Sequence, residues 1–216
     1  MKISVLCSEL DHPIVPYLER WRVAVTEQCK DVFLAHDKKD LPGGDILFLV
    51  SCHQVLRPLE RQRYKAAFVL HASDLPRGRG WSPHVWAIAN GESEITVCLL
   101  EAGDLVDSGA VWLRRKFVLD GTELLPEINH LLFQTELDLM TEVIEGFGYI
   151  KPEEQIGEAG PSFRKRTPED SRLDPFKSIA EQFDLLRATD PQRYPAFVDF
   201  RGMRYVIKIE KDITKC

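Results

Sequence analysis

The chain has 216 residues, 44% of them hydrophobic and 29% charged, with a formal net charge of -6. That length buries a core for one domain and a smaller appendage, and the acid excess argues against a protein that grips nucleic acid through a general electrostatic field. No apolar run reaches membrane-spanning length, and the opening MKISVLCSEL lacks the apolar core and cleavage site of a signal peptide. The expectation is therefore a cytoplasmic protein with no membrane partner.

In chain order, KISVLCS predicts a first strand, PIVPYLERWRVAV a helix entered through prolines, and DVFLAH a second strand. DILFLVS is almost wholly apolar, the pattern of a strand buried on both faces of a parallel sheet. RPLERQRY reads as a polar helical turn, AAFVLHA as a fourth strand, and SPHVWAIANG as a helix stopped by Gly91. ITVCLLEA and GAVWLRRKFVL predict two further strands. This alternation predicts an open α/β sheet with helices on its faces.

From Glu123 to Phe147 an amphipathic pattern predicts one long helix, with Pro126 in its first turn where a missing N–H costs little. Composition then shifts. Residues 148–175 are polar and rich in Pro and Gly, as in a surface excursion. SIAEQFDLLRA predicts a last helix, and AFVDFRGMRYVIKI a hairpin turning near Arg201 and Gly202.

The five cysteines, Cys7, Cys29, Cys52, Cys98 and Cys216, are scattered and include no C-x-x-C, so neither a disulfide framework nor a zinc site is indicated. Cys7, Cys52 and Cys98 sit in or beside apolar runs and read as small buried hydrophobes. His12, His36, His84 and His130 have no metal-ligand spacing. No G-x-G-x-x-G or P-loop signature is present; RGRG at Arg77 to Gly80 obeys neither spacing.

His71 closes the fourth strand and is followed by a loop rich in Pro, Gly and Arg. A half-buried histidine is ordinary at a strand end, but ligands of open α/β sheets gather at such carboxyl ends. A second strand end carries EAGDLVDSGAVW, with Glu101, Asp104 and Asp107. A carboxylate beside an imidazole fixes its tautomer and stabilises its charged form, as acid–base chemistry requires.

These residues in this order resemble the folate-dependent formyltransferases. That family's pattern is a strand ending in Asn-x-His, a Ser-x-Leu-Pro loop, a helix ending in Asn-Gly-Glu and a later Asp-[Thr/Ser]-Gly. His71, Ser73, Leu75, Pro76, Asn90, Gly91, Glu92 and Asp107 to Gly109 match it in order. SCHQVLRP stands where the family's pterin-contacting loop stands, and RKRTPEDSRLDPFKSIAEQFDLLRA with RYPAFVDFRG is similar to the segment after the catalytic domain. The opening LCSELDHPIVPYLERW and the GRGWSP loop look most like N-formyltransferases of amino-sugar nucleotides, the branch serving nonulosonic sugars such as pseudaminic acid.

The resemblance implies a Rossmann-like formyltransferase domain over residues 1–147, then a short C-terminal region over 148–216 with a helix and β-hairpin. It implies transfer of a formyl group from N10-formyltetrahydrofolate, a co-substrate, to the amine of a nucleotide-linked sugar, with a UDP-linked 4-amino sugar expected. His71 would be the base or oxyanion partner and Asp107 would orient and support it. Cys52, His53, Gln54, Val55, Leu56 and Asp104 would meet the folate. Arg77, Arg79, Trp81, Ser82 and Arg166 would meet the acceptor, since an Arg fork matches phosphate oxygens; Arg164 and Lys165 are further cations there. No metal and no nucleic acid are expected, and the oligomeric state is left open, a homodimer included.

One departure stands out. The family's asparagine two residues before the histidine is Val69 here, which cannot donate to an oxyanion; Ser73 is a nearby candidate for that task. The alternatives are a methionyl-tRNA formyltransferase, whose C-terminal domain is larger and basic, and a glycinamide ribonucleotide formyltransferase, whose Gly-rich turn after the first strand is missing. A noncatalytic folate- or nucleotide-binding module is the alternative from outside catalysis.

Overall fold

A computed structural model of the chain describes residues 1–28, 30–212 and 214. Cys29 and Cys216 lie outside the described residues. Among the described residues nine strands and five α-helices follow in order: β1 (Lys2–Leu6), α1 (Val15–Glu27), β2 (Asp31–Ala35), β3 (Gly44–Leu49), α2 (Pro58–Arg61), β4 (Tyr64–His71), α3 (Pro83–Ala89), β5 (Glu94–Glu101), β6 (Val111–Val118), α4 (Leu125–Glu145), β7 (Arg172–Leu173), α5 (Phe183–Arg187), β8 (Ala196–Phe200) and β9 (Met203–Ile207). None of the described helices is long and apolar enough to cross a membrane.

Six strands form one sheet in the order β2-β1-β3-β4-β5-β6. The first four run parallel, as their apolar runs and helical crossovers predict. The last two depart from that pattern: β5 is antiparallel to β4, and β6 to β5. The connection from β5 to β6 spans only residues 102–110, too short for the crossover of about a dozen residues that a parallel pair needs. An apolar strand buried on both faces reads the same in either direction, which is why its sense is invisible in composition.

Alternation along β1, β3 and β4 sends side chains to opposite faces of the sheet. Ile3, Val5, Ile46, Phe48, Phe68 and Leu70 join α1, α3 and α4 in the larger core through Leu18, Trp21, Ile88, Ile128, Leu132 and Met140. Leu6, Leu47 and Leu49 face the other way and pack with Leu41, Leu56 and Tyr64. Trp21 Nε1 donates to Thr141 Oγ1 at 2.9 Å, pinning α1 to α4. At the start of α4, Glu127 reaches back to accept the Leu124 N–H at 2.8 Å, satisfying one exposed end of the helix.

The region after Phe147 is more ordered than a plain excursion. Residues 172–173 pair parallel to β8, making a three-stranded sheet β7-β8-β9. The expected hairpin turns at Arg201 and Gly202, both with positive φ (51° and 79°), the geometry that matches the twist of its strands. The helix expected over 178–188 is a 3-10 turn at Ala180–Gln182 running into the short α5. Buried Arg187 ties α5 to the start of α4 through Asp184 and Glu123, at 2.7 and 3.6 Å.

Candidate active site

A cleft of about 970 Å³ opens beyond the ends of β1, β3 and β4, lined by Glu9, Ser51, His71 and the loop carrying Asp107. This is the position where open α/β sheets bind ligands, and the volume is at the upper end for small-molecule sites. His71, the last residue of β4, shares a sheet face with Val69 and is buried. Its Nε2 lies 2.9 Å from the Gly78 carbonyl oxygen. A carbonyl only accepts, so Nε2 carries the hydrogen and Nδ1 is the edge turned to Asp107, with Oδ1 at 3.6 Å.

Asp107 reaches this place by an indirect route. Glu101 at the end of β5 lies opposite Phe68, so the following loop starts three residues short of His71 and must double back. The close approach of Gly109 to Glu101 lets it do so: a Cβ at Gly109 would sit 2.0 Å from the Glu101 carbonyl oxygen. Asp107 itself is left-handed, φ 54°, and its Oδ2 accepts the Gly80 N–H at 2.9 Å. Gln155 Nε2 donates to the carbonyls of Asp107 and Gly109, both at 2.9 Å. Gly80 thus holds the carboxylate and Gln155 the backbone of its loop, while Oδ1 faces the imidazole.

Two wings extend from this pair. On the face of Leu49 and Leu56 lie Ser51 to Leu56, Arg61 and Asp104. All six residues expected at the folate line this part of the cleft. The Gln54 side chain is fully occupied by backbone, accepting from Lys38 N and donating to His36 O, at 3.0 and 2.9 Å. Exposed Asp104 pairs with half-buried Arg61. Burial pushes the Cys52 thiol up. Leu56 is buried, whereas His53 and Val55 are exposed.

The other wing belongs to the face of α3 and α4. It brings together His12, His84, Phe133 and Glu136 with Lys165, Arg166, Arg193 and Tyr194. Trp81 and Ser82 line it too, with Lys165 Nζ 5.0 Å over the Trp81 ring. Arg166 is half-buried beside Trp86 and donates to Asp170 O at 3.1 Å. Arg164 turns outward, bound to Asp170 and placed over Trp86.

Besides Arg164, three expected residues do not line the cleft. Arg77 is exposed and paired with Asp74 at 3.3 Å, because its loop turns away from the sheet after His71. Arg79 is drawn to Gln155 Oε1 at 2.6 Å, bracing the Asp107 loop. Ser73 donates its hydroxyl to Arg77 O at 2.9 Å. Among the lining residues that sequence reasoning did not single out are His12, His84, Glu136, Arg193 and Tyr194. For Glu136 a signal existed: it falls in the four-residue series Ile128, Leu132, Glu136, Met140, on the buried stripe of α4. Among the described residues, no group of three His, Cys, Asp or Glu side chains is placed to hold a metal ion.

No family model matches the chain. It is 30% identical over 148 residues to a methionyl-tRNA formyltransferase from Flavobacterium psychrophilum, covering 66% of this chain and 46% of that protein. The chain thus spans about half the length of this curated relative. Among solved structures, HypX from Aquifex aeolicus in complex with tetrahydrofolic acid superposes with a TM-score of 0.79 at 22% identity, over 94% of this chain and 36% of that one. A sugar N-formyltransferase from Shewanella sp. FDAARGOS_354 superposes with a TM-score of 0.73 at 15% identity, over 100% of this chain and 99% of that one. With its mixed six-stranded sheet, its His71–Asp107 pair at the strand ends and these likenesses, the chain carries the fold of the folate-dependent formyltransferases.

Proposed function

We propose that the chain is an N-formyltransferase that moves a formyl group from N10-formyltetrahydrofolate to the primary amine of a nucleotide-linked amino sugar, with UDP-linked 4-amino sugars as the expected acceptors. The observation that carries this reading is the buried His71–Asp107 pair between two wings on opposite faces of the sheet. Such a cleft suits two ligands that meet at one imidazole. The loop 51–56 with Asp104 serves the folate side; one solved structure of this fold, HypX, is a tetrahydrofolic acid complex, which supports a folate donor. Lys165, Arg166 and Arg193 serve a diphosphate on the other side.

On this reading the acceptor nitrogen attacks the formyl carbon, a new C–N bond forms, and the carbonyl oxygen takes up the negative charge. His71 Nε2–H, held by Gly78 O in this state, is the donor that turns to that oxygen. Asp107 faces Nδ1 and offsets the positive charge that the imidazole gains. Collapse re-forms the carbonyl and breaks the bond to N10; the amine loses one proton and N10 gains one, with His71 and Asp107 placed to relay it. Val69 lies among Leu75, Leu100 and Val111 and takes no part in this. Remote binding of the nucleotide would position the amine.

The reaction would run in the cytoplasm, on two small molecules, in surface-glycan or nonulosonic-acid biosynthesis. The methionyl-tRNA reading has the 30% identical relative in its favour; the net charge of -6 speaks against a tRNA, which needs several phosphate contacts. The test is mass spectrometry of a panel of amino-sugar nucleotides incubated with the protein and the formyl donor. The expected result is a mass gain of one CO on a UDP-linked 4-amino sugar. Efficient formylation of methionyl-tRNA, with no product from any amino-sugar nucleotide, overturns the proposal.

A further inference from the structure

The α3–α4 wall of the cleft holds two enclosed polar atoms with no hydrogen-bond partner among the described residues, Glu136 Oε2 and His84 Nδ1. Glu136 is only 6% exposed and sits between Leu132 and Met140 on the apolar stripe of α4. A carboxyl in such a place costs stability unless something satisfies it, and nothing in the packing of α4 requires it. His84 is the second helical residue of α3 and lines the same cleft. Two unsatisfied groups from different helices, both lining one cavity, point to a ligand that supplies the missing partners.

We propose that Glu136 and His84 form a polar subsite that takes the hydroxyl and amine hydrogens of the acceptor's sugar ring. This rests on the amino-sugar reading above. Three observations select the acceptor over the folate. The pair lies on the sheet face opposite the loop 51–56. It lies on the same wing as Lys165, Arg166 and Arg193, the cations suited to a diphosphate. A carboxyl carbonyl oxygen and an imidazole nitrogen accept O–H and N–H donors, which a sugar ring carries and an ionised diphosphate lacks, so the sugar fits beside them.

The protonation of the pair agrees with this assignment. Burial pushes the Glu136 carboxyl up to about 8. Burial, then repulsion from His71, His12 and Arg166, brings His84 down to about 4. Near neutral pH the wall is therefore mostly uncharged. A carboxylate there would hold the acceptor as an ammonium ion, which has no lone pair for attack; an uncharged wall favours the free amine.

The test compares wild type with Glu136→Gln, Glu136→Leu and His84→Ala, reading KM for acceptor and folate donor separately and, by calorimetry, the binding of UDP and of the UDP-sugar. Glu136→Leu and His84→Ala should raise acceptor KM about tenfold, with Glu136→Gln in between because its amide still accepts. Donor KM and UDP affinity should stay within about twofold, while UDP-sugar affinity falls. Unchanged acceptor KM in both Glu136 variants overturns the subsite, as does a rise confined to donor KM. Weakened binding of UDP alone, in the isosteric Gln variant, assigns the effect to damaged structure and overturns it too. A wild type that formylates no amino-sugar nucleotide refutes the functional reading first, and the subsite with it.

Discussion

Replacing Glu136 by Gln should make the protein more stable, by an amount that grows with pH. The carboxyl has an ordinary value of 4.5 and burial raises it to about 8 in the folded chain. Between those values the unfolded chain has released the proton while the folded chain keeps it, so wild-type stability falls as pH rises. At about 1.4 kcal/mol per tenfold change, the penalty is about 1 kcal/mol at pH 5 and about 4 kcal/mol at pH 8. Glutamine has the same shape and no proton to lose, so its own burial cost does not vary with pH. The difference in stability between the variant and wild type should therefore widen by about 3 kcal/mol from pH 5 to pH 8. For a chain of this size that corresponds to a gap in Tm growing by roughly 6–12 °C. Thermal melts of the ligand-free proteins at the two pH values measure it, and titrations common to both cancel. A gap that stays constant would show that the Glu136 carboxyl is hydrated or paired, and the argument from burial would fail.

His71→Ala and Asp107→Ala should each remove about 10²–10⁴ in turnover while circular dichroism stays that of the wild type; a folded variant retaining more than about a tenth of the activity refutes its assignment. Val69→Asn, which places the residue expected from the resemblance at that position, should not raise the rate and should cost at most about 1 kcal/mol, because Val69 is partly buried against Leu75, Leu100 and Val111 yet also lines the cleft. A large gain in rate would show that the native site lacks an oxyanion donor.

The sequence carried the four parallel strands, the long helix α4 and the terminal hairpin, since each has a period or a turn residue that only one local structure satisfies. It also carried the meeting of His71 and Asp107, through the order of motifs. The direction of β5 was not legible, because Glu94–Glu101 buries both faces whichever way it runs. The cations were legible only in part: Lys165 and Arg166 line the cleft as read from the sequence. Arg77 and Arg79 follow His71 directly, yet the loop turns them toward Asp74 and Gln155. Arg193 arrives from a distant segment that no local pattern links to the cleft. Glu136 was hidden in plain view, since a glutamate in a helix reads as its wet face unless its neighbours at four-residue spacing are counted.

The pairing of Arg193 with Glu9 joins residues 184 positions apart across the rim of the cleft. During synthesis the parallel strands are complete once His71 has emerged, but the strap that crosses Gly80 through Phe163, and then Arg193, come later. At roughly 5–20 residues per second, the nascent sheet waits on the order of ten seconds for the last wall of its site. The rim of the cleft is thus not closed until Arg193 has emerged, and a product ending before it would lack that part of the lining.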